Sequence, residues 1–400
     1  MVQSEWETLR ATYRDGYALD RAYYTSPEVY ERDLKHYWNT QWIWAGHTCE
    51  IPNNGDFFLF DYGRESIIIA RDKDGVVVAF LNVCRHRGSR VCVERSGNRR
   101  VFACPYHAWT YEMNGTLRRA REMGEGFDPA AHGLLPVQLR IFEGLIFIST
   151  ADAPPDIDRG LQALEPLVKP YGLARVNVAK KAIYPVPANW KLAIENYMEC
   201  YHCGPAHLEY SRSHSLKDPD GMTADLRAKM HSRAADAGLA AEDMSLNTDD
   251  GMGFYYRRYP LFDGYKTGSK SGKPLAPLLG DLKAFDGGTT DLQIGVLNNF
   301  LLYSDHIIAY RFLPAGLQNT DIEVVWFVRD DAVEGTHYDV ADLSWLWHVT
   351  SLDDERIISV NQEGVNSYHF RPGPLSDMEW GIRAFYESYL DRPSETNGGF

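Results

Sequence analysis

The stretch that decides the fold is CRHRGSRVCVERSGNRRVFACPYHAW, residues 84–109. Its first half contains Cys84 and His86, and its second half contains Cys104 and His107. Zinc sites usually place two or more residues between the ligands of each half, whereas one residue separates Cys84 from His86. Two loops that each supply one thiolate and one imidazole suit a [2Fe–2S] cluster, with both thiolates on one iron and both imidazoles on the other. The alternatives are a structural zinc knuckle or a pair of core histidines.

Short β-rich runs surround this stretch from Trp42 to Thr150. They occupy residues 57–62, 66–70, 76–83 and 141–149, and turn signals lie at Tyr62-Gly63, Lys73-Asp74-Gly75 and Asn114-Gly115. The pattern predicts a small antiparallel β domain over residues 41–150.

The flanking regions predict helices. Residues 1–40 are charged and aromatic, and Ser26-Pro27 favours a helix over 28–38. We expect this N-terminal segment to pack on the last domain, residues 156–400, which follows a linker at 151–156.

That last domain is expected to mix helices with antiparallel strands. Helices are predicted over 158–168, 189–201, about 353–366 and about 376–390, and strands over 296–303, 306–312 and 322–328. Ser376 and Glu379 match a capping box at the last helix. The polar region 211–290 predicts only small helices and mobile loops.

A second group of metal-capable residues lies in ENYMECYHCGPAH, residues 195–207. On a continuous helix Glu195, Glu199 and His202 would share one face, and His207 would return beside His202 after the Gly204-Pro205 break. Two histidines and a distant carboxylate make the facial triad that binds Fe(II) and leaves positions open for oxygen and substrate.

The third ligand has to come from elsewhere in the chain. Asp353 and Asp354 are the best candidates, although such residues are usually helix N-caps. Cys200 and Cys203 leave an alternative open, because with His202 and His207 they could form a zinc site or a redox pair. Two metal sites in one chain favour the iron hypothesis, since a cluster that relays electrons needs a destination.

Composition excludes several classes of protein. The 41 basic and 55 acidic residues give a net charge of −14, which argues against nucleic acid as a partner. No run approaches the roughly 18 apolar residues of a membrane helix, and the N-terminus lacks a secretory pattern. Six cysteines are too few for a disulfide scaffold in 400 residues, so we expect a soluble cytoplasmic protein with reduced thiols.

The motifs CRHRG, CPYHAW and N-W-K…E-N-Y-M-E-C-Y-H-C-G-P-A-H resemble those of Rieske non-haem iron oxygenase α subunits. The resemblance covers nearly the whole chain and continues to Asn361-Gln362 and Gly364. One departure is Ala108, where many members have glycine. It adds only a methyl group, and we expect the cluster to be undisturbed.

The resemblance implies the roles of the second group. The mononuclear iron would bind His202, His207 and an acidic residue, for which Asp354 is preferred and Asp353 stays open. Glu199 falls on the carboxylate that links a cluster histidine to an iron-ligand histidine across a subunit boundary. The implied fold class is α+β, with a β-rich Rieske domain, a helix-grip catalytic domain and a homotrimeric assembly.

The resemblance also implies partners and a substrate class. No ferredoxin-type cysteine run and no convincing dinucleotide motif is found, so electrons would come from an NAD(P)H reductase of flavin or ferredoxin type. The E-C-Y-H-C form is similar to monooxygenases of glycine betaine, carnitine and stachydrine. It implies O2-dependent N-methyl hydroxylation and release of formaldehyde.

A quaternary ammonium substrate predicts an aromatic cage, because such cations are stabilised over aromatic faces. Candidate cage residues are Tyr197, Tyr201, Tyr255, Tyr303 and Trp326. Two alternatives remain open. One is a Rieske oxygenase that hydroxylates an aromatic or other small acid, and the other is an electron carrier or zinc-stabilised binding protein.

Overall fold

The computed structural model describes residues 5–215 and 222–390. The chain forms two compact units, of which the smaller comprises Gln41–Pro154. The larger unit comprises the residues up to Thr40 together with those from Pro155 onward.

The smaller unit is built from ten short strands. These are β1 (Ile43–His47), β2 (Asp56–Tyr62), β3 (Glu65–Arg71), β4 (Val77–Leu81), β5 (Ser96–Asn98), β6 (Val101–Ala103), β7 (Thr110–Glu112), β8 (Leu117–Arg119), β9 (Gln138–Phe142) and β10 (Leu145–Ser149). They form three antiparallel sheets with the orders β1-β10-β9, β4-β3-β2-β5 and β6-β7-β8. The strands predicted over 57–62, 66–70 and 76–83 are confirmed as β2, β3 and β4.

The predicted single run over 141–149 is wrong, because it is the tight hairpin between β9 and β10. Glu143 and Gly144 form the turn with φ values of 48° and 85°. Two consecutive residues with positive φ are typical of a two-residue hairpin loop. Phe142 and Leu145 then pair directly across the turn.

The larger unit begins with three helices, α1 (Glu5–Thr12), α2 (Ala22–Thr25) and α3 (Pro27–His36). The helix expected after Ser26 is confirmed. The Ser26 hydroxyl accepts a hydrogen bond from the Val29 backbone N–H, and Pro27 occupies the first turn, where it costs no backbone hydrogen bond.

The remaining elements of the larger unit are the strands of one sheet and the helices that accompany them. They are α4 (Asp158–Val168), β11 (Val176–Val186), α5 (Trp190–Tyr197), α6 (Cys203–Ala206), α7 (Leu208–Ser211), α8 (Met222–Ala237), β12 (Met244–Asn247), β13 (Gly253–Pro260), β14 (Gly288–Ile294), β15 (Asn299–Leu302), β16 (Ile307–Gly316), β17 (Asn319–Arg329), α9 (Val340–Val365) and α10 (Trp380–Leu390). The sheet has seven antiparallel strands in the order β11-β17-β16-β15-β14-β13-β12.

The prediction for residues 211–290 is wrong, because this region contains the 16-residue helix α8 and the strand β13. The part of the predicted region that falls on 216–221 lies outside the described residues. In β13 the buried positions alternate but include Arg258, whose guanidinium lies 2.5 Å from Asp286. A buried charge in the apolar register obscures the strand pattern in the sequence.

The late helix is also longer than predicted. α9 spans 26 residues and begins at Val340, where the Asp339 carboxylate accepts two backbone N–H bonds. Asp353 and Asp354 therefore lie within a helix and are not its N-caps. The capping box of Ser376 and Glu379 is confirmed at the turn that leads into α10.

α9 packs against the edge strand β11 and against α5 and α7. One unit has a long helix packed against an antiparallel sheet, and the other consists of small antiparallel sheets, which confirms the α+β class. Within residues 5–215 and 222–390, none of the helices combines the length and apolar character that a membrane crossing requires.

Candidate metal centres

Two similar loops position the first set of ligands. The N–H of Gly88 donates to the Cys84 carbonyl at 2.9 Å, and the N–H of Ala108 donates to the Cys104 carbonyl at 3.0 Å. Each loop also ties its cysteine N–H to a carbonyl five residues later, in Ser89 or Trp109. The loops therefore present their cysteine and histidine side chains in equivalent ways.

The four side chains divide into a buried pair and an exposed pair. Cys84 and Cys104 are each 3% exposed and belong to the core of the smaller unit, whereas His86 and His107 are exposed. The two imidazole centroids lie 4.7 Å apart. This arrangement fits a [2Fe–2S] cluster with its thiolate-bound iron inside and its imidazole-bound iron at the surface, and it excludes the alternative of core histidines.

Tyr111 is a neighbour of this site that the sequence argument missed. Its hydroxyl accepts the Arg85 backbone N–H at 3.1 Å and lies 3.3 Å from the Cys84 sulfur. Because the oxygen already accepts from Arg85, its own hydrogen is available to the sulfur. Hydrogen bonds to cluster sulfurs raise the reduction potential.

The second set of ligands follows α5, which is shorter than predicted. The helix ends at Tyr197 and not at residue 201. The Glu199 carboxylate accepts the backbone N–H groups of Tyr201 and His202, the latter at 3.2 Å. A side chain that takes over these N–H groups competes with the helix, so the chain turns away before His202.

The expectation that Glu195, Glu199 and His202 share a helix face is consequently wrong. Glu195 points into the core and accepts a hydrogen bond from the Tyr24 hydroxyl at 2.9 Å. Glu199 lies instead in the loop, with Oε1 2.5 Å from Nδ1 of His202.

Cys200 and Cys203 form a disulfide on either side of His202. The expectation of reduced thiols is wrong for this pair. Because the two sulfurs are bonded to each other, they do not provide the thiolates that the zinc alternative requires.

His202, His207 and Asp354 converge on one point. One ligand atom from each lies within 4.8 Å of the other two. The Nε2 atoms of the histidines are 3.0 Å apart, and Oδ1 of Asp354 lies 3.5 Å from His202 and 3.0 Å from His207. That oxygen is buried and accepts no hydrogen bond. Two imidazoles and one carboxylate with an unsatisfied oxygen fit the facial triad of a non-haem Fe(II) centre.

The outer ring nitrogens of both histidines face carboxylates. Glu199 lies against Nδ1 of His202, and Oδ2 of Asp353 lies 3.5 Å from Nδ1 of His207. A carboxylate accepts and does not donate, so it holds the proton on Nδ1 and leaves the Nε2 lone pair free for a metal. The geometry thus separates the two candidates, with Asp354 facing the inner nitrogens and Asp353 an outer one.

The electrostatics favour a cation at this point. Burial lowers the pKa of His202, but the carboxylates of Asp354 and Glu199 outweigh it and raise the pKa to about 9. Burial raises the pKa of Asp354, and the two histidines more than reverse this effect, so that it is lowered overall. A metal ion would supply the same positive charge in place of a proton.

The triad opens on a cavity of about 1170 Å³ within the larger unit. Of the predicted cage residues, Tyr197 and Tyr255 line it, but Tyr201, Tyr303 and Trp326 do not. Tyr201 is 56% exposed, whereas Tyr303 and Trp326 are fully buried in the core. Several other lining residues were not predicted from the sequence, among them Tyr210, Tyr259, Asp291 and Trp347. Alternate residues of β13 and β14 face the same side of the sheet, and this pattern could have identified Tyr259 and Asp291.

Comparisons with known proteins agree with this description. Residues 41–141 match the family described as "Rieske [2Fe-2S] domain", and residues 173–395 match "Ring hydroxylating alpha subunit (catalytic domain)". The chain is 38% identical to a glycine betaine monooxygenase oxygenase subunit of Pseudomonas aeruginosa, over 94% of this chain and 89% of that protein.

Two further relatives extend the comparison. A carnitine monooxygenase oxygenase subunit of Acinetobacter baumannii is 33% identical, over 49% of this chain and 54% of that protein. A solved quaternary ammonium Rieske monooxygenase superposes with a TM-score of 0.72 at 22% identity, covering 98% of this chain and 99% of its own. At that identity the superposition establishes the fold alone.

Proposed function

Because the chain belongs to the Rieske non-haem iron oxygenase α subunits, we propose that it is the terminal oxygenase of a monooxygenase acting on a small quaternary ammonium compound such as glycine betaine. As a member of this family it is an oxidoreductase whose cofactors are a Rieske [2Fe–2S] cluster and a mononuclear iron. The alternative of an electron carrier or zinc-stabilised binding protein is therefore wrong.

One observation supports the substrate class above the others. The cavity beside the His202, His207 and Asp354 triad is lined by several tyrosine and tryptophan rings and by the buried carboxyl group of Asp291. Aromatic faces attract a methylated cation by about 0.5–2 kcal/mol per contact. The relatives with glycine betaine and carnitine in their names point to the same chemistry.

In this proposal the two metal sites have separate ligands. Cys84, His86, Cys104 and His107 would hold the cluster, whereas His202, His207 and Asp354 would hold the mononuclear iron. The cluster supplies single electrons and the iron supplies oxygen activation when they are bound. Glu199 and Asp353 fix the orientation and the tautomer of the two histidines.

The reaction consumes one O2, two electrons and two protons. One oxygen atom is inserted into a C–H bond of an N-methyl group, and the other leaves as water. The hydroxymethyl group then breaks its bond to nitrogen, releasing formaldehyde and a proton and leaving a tertiary amine.

Rieske oxygenase subunits work with a reductase and assemble into oligomers. We propose an NAD(P)H reductase of flavin or ferredoxin type as the electron donor and a homotrimer as the assembly. Within that trimer Glu199 would link His202 to a cluster histidine of the neighbouring subunit. A cytoplasmic location stays a prediction from the sequence.

The test is a turnover assay with the iron-loaded protein, a reductase, NADH and O2. Glycine betaine and carnitine are compared with an aromatic acid, anthranilate, and formaldehyde is measured against NADH consumed. The proposal expects about one formaldehyde per NADH with a betaine and background formaldehyde with anthranilate. Formaldehyde at background with both betaines, together with hydroxylation of anthranilate, would favour the aromatic-acid alternative.

A further inference from the structure

Asp291 is a carboxylate in the cavity that the ligand assignments leave without a role. It lies on β14 between Thr289 and Gln293, and all three side chains line the cavity because alternate residues of a strand face the same side. Its Oδ1 is buried and has no hydrogen-bond partner, and its Oδ2 has only a long contact of 3.4 Å with the Gln293 amide. A buried carboxylate in this state needs a compensating group.

Two other carboxylates on or next to the same sheet have that compensation. Asp286 lies 2.5 Å from the Arg258 guanidinium, and Glu323 lies 2.6 Å from Arg311. Asp291 has no such ion pair within 4 Å among the residues that the structure describes. Its cross-strand neighbour Arg257 lies 3.4 Å from Asp243 instead.

Four tyrosines line the same cavity as this carboxylate, namely Tyr197, Tyr210, Tyr255 and Tyr259. Burial raises the pKa of each of them, and the charge of Asp291 raises it further. The hydroxyls of Tyr255 and Tyr259 are 2.9 Å apart and bond to each other. Two of the four hydroxyls are therefore already paired, and that of Tyr197 is buried without a hydrogen-bond partner.

Burial also affects the protonation of Asp291. Burial raises its pKa to about 7, although the Gln293 amide and the Arg257 charge act in the opposite direction. A positive charge beside it would favour the ionised form.

Tyr210 connects this carboxylate with the metal site. Its ring centroid lies 6.4 Å from that of His207, and the charges of both Asp291 and Asp354 raise its pKa after burial. Tyr210 therefore lies in the same cavity as Asp291 and next to an iron-ligand histidine.

We propose that Asp291 is the counter-ion of the substrate's quaternary nitrogen and that it fixes an N-methyl group toward the metal triad. This inference rests on the function proposed above. It predicts that the site selects for positive charge and not only for the shape of three methyl groups.

The test compares two ligands of nearly the same shape, glycine betaine and 3,3-dimethylbutanoate, in which carbon replaces the charged nitrogen. Equilibrium binding is measured anaerobically by calorimetry on the iron-loaded protein. Asp291→Asn removes the charge and keeps the shape. It should weaken glycine betaine by roughly 10- to 100-fold and leave 3,3-dimethylbutanoate unchanged or tighter.

Two variants serve as controls. Asp249→Asn removes an exposed carboxylate from the same cavity and should leave the preference for betaine within about twofold. Asp291→Glu keeps the charge and should retain part of that preference. Iron content and the cluster spectrum establish that each variant is correctly folded.

The outcomes separate this inference from the proposed function. If the wild type releases formaldehyde from glycine betaine and Asp291→Asn keeps the full preference for the charged ligand, the inference alone is overturned. If the preference depends on Asp291 but no formaldehyde is released, the inference stands and the proposed function fails. A wild type that binds both ligands equally overturns the inference.

Discussion

Gly88 and Ala108 occupy the same place in the two cluster loops and have the same backbone shape. Their φ values are 76° and 56°, both in the left-handed region that glycine adopts without strain. The expectation that Ala108 leaves the cluster undisturbed stays a prediction, but its positive φ adds a cost to the backbone. The backbone conformation, and not the space for the methyl group, determines its effect.

Ala108→Gly should stabilise the smaller unit by up to about 1 kcal/mol, because it removes a strained non-glycine residue. Gly88→Ala is the matched control and should destabilise it by about 1–2 kcal/mol. A Cβ at Gly88 would meet no atom within 4 Å, so any cost comes from the backbone. Thermal loss of the cluster absorbance measures both effects, and a less stable Ala108→Gly protein would contradict the argument.

Glu199→Gln should keep both metal sites filled but slow electron transfer to the mononuclear iron by at least about tenfold. The amide oxygen can still accept the backbone N–H of His202, whereas the amide N–H₂ faces the Nδ1 proton that the carboxylate accepted. Single-turnover oxidation of the reduced cluster measures the rate. Asp353→Asn, which alters the longer contact to His207, should slow it less. An unchanged rate in Glu199→Gln would remove the bridging role.

At the scale of elements, the position of Asp354 in the middle of α9 matters most. Residues 353 and 354 point about 100° apart around a helix, so only one of them can face the inner nitrogens of both histidines. Asp354 is 18% exposed at its side chain and Asp353 is 38% exposed, which agrees with this division.

Asp354→Ala should therefore lose the mononuclear iron, about one iron per chain, and all turnover. Asp353→Ala should keep most of that iron, because it removes a contact to an outer nitrogen only. Metal analysis with electron paramagnetic resonance of the reduced cluster distinguishes the two iron populations. If Asp353→Ala lost the iron and Asp354→Ala kept it, the ligand assignment would be reversed.

The elements that the sequence predicted well have strong local signals. α4 matches its predicted bounds of 158–168, and Ser26 and Ser376 cap the turns that their side chains predicted. The errors at helix ends come from local side chains whose hydrogen bonds end or start a helix. α5 stops early because Glu199 accepts N–H groups that a helix would use, and α9 starts early because its cap is Asp339.

In the candidate site, separation along the chain divides the predicted residues from the missed ones. Ligand types and their spacing identified His202 and His207 in sequence, because both lie within one short loop. Asp291 and Tyr210 were missed because they meet only when the sheet and the loop after α5 enclose a cavity. No short-range pattern contains that information.

At the scale of the molecule, buried polar contacts join the N-terminal helices to the rest of the larger unit. Asp33 on α3 accepts hydrogen bonds from Tyr389 at 2.6 Å and from the Trp190 indole at 3.2 Å, and it pairs with the Lys191 ammonium. Tyr24 on α2 donates to Glu195. These contacts join segments that are distant in sequence, so stability here depends on the charge state of buried groups.

Glu195 makes this dependence measurable. Burial raises its pKa from the ordinary 4.5 to about 8, although Tyr24, Lys191 and Tyr386 act against burial and only Glu379 adds to it. At pH values between 4.5 and about 8, Glu195 keeps its proton in the folded chain and releases it in the unfolded chain. The contribution of Glu195 to the free energy of unfolding therefore falls as pH rises. Glu195→Gln stays neutral and can still accept from Tyr24.

The Glu195→Gln variant should therefore gain unfolding free energy relative to wild type as pH rises from 5 to 8. The difference in unfolding free energy between variant and wild type should rise by at most about 1.4 kcal/mol per pH unit. Over the whole range it should rise by about 3 kcal/mol. Urea unfolding followed by tryptophan fluorescence at each pH measures the difference. Glu165→Gln, at a glutamate with a 52% exposed side chain, should show almost no slope. A difference between Glu195→Gln and wild type that stays constant from pH 5 to 8 would mean that Glu195 is ionised in the folded protein and stabilised by Lys191.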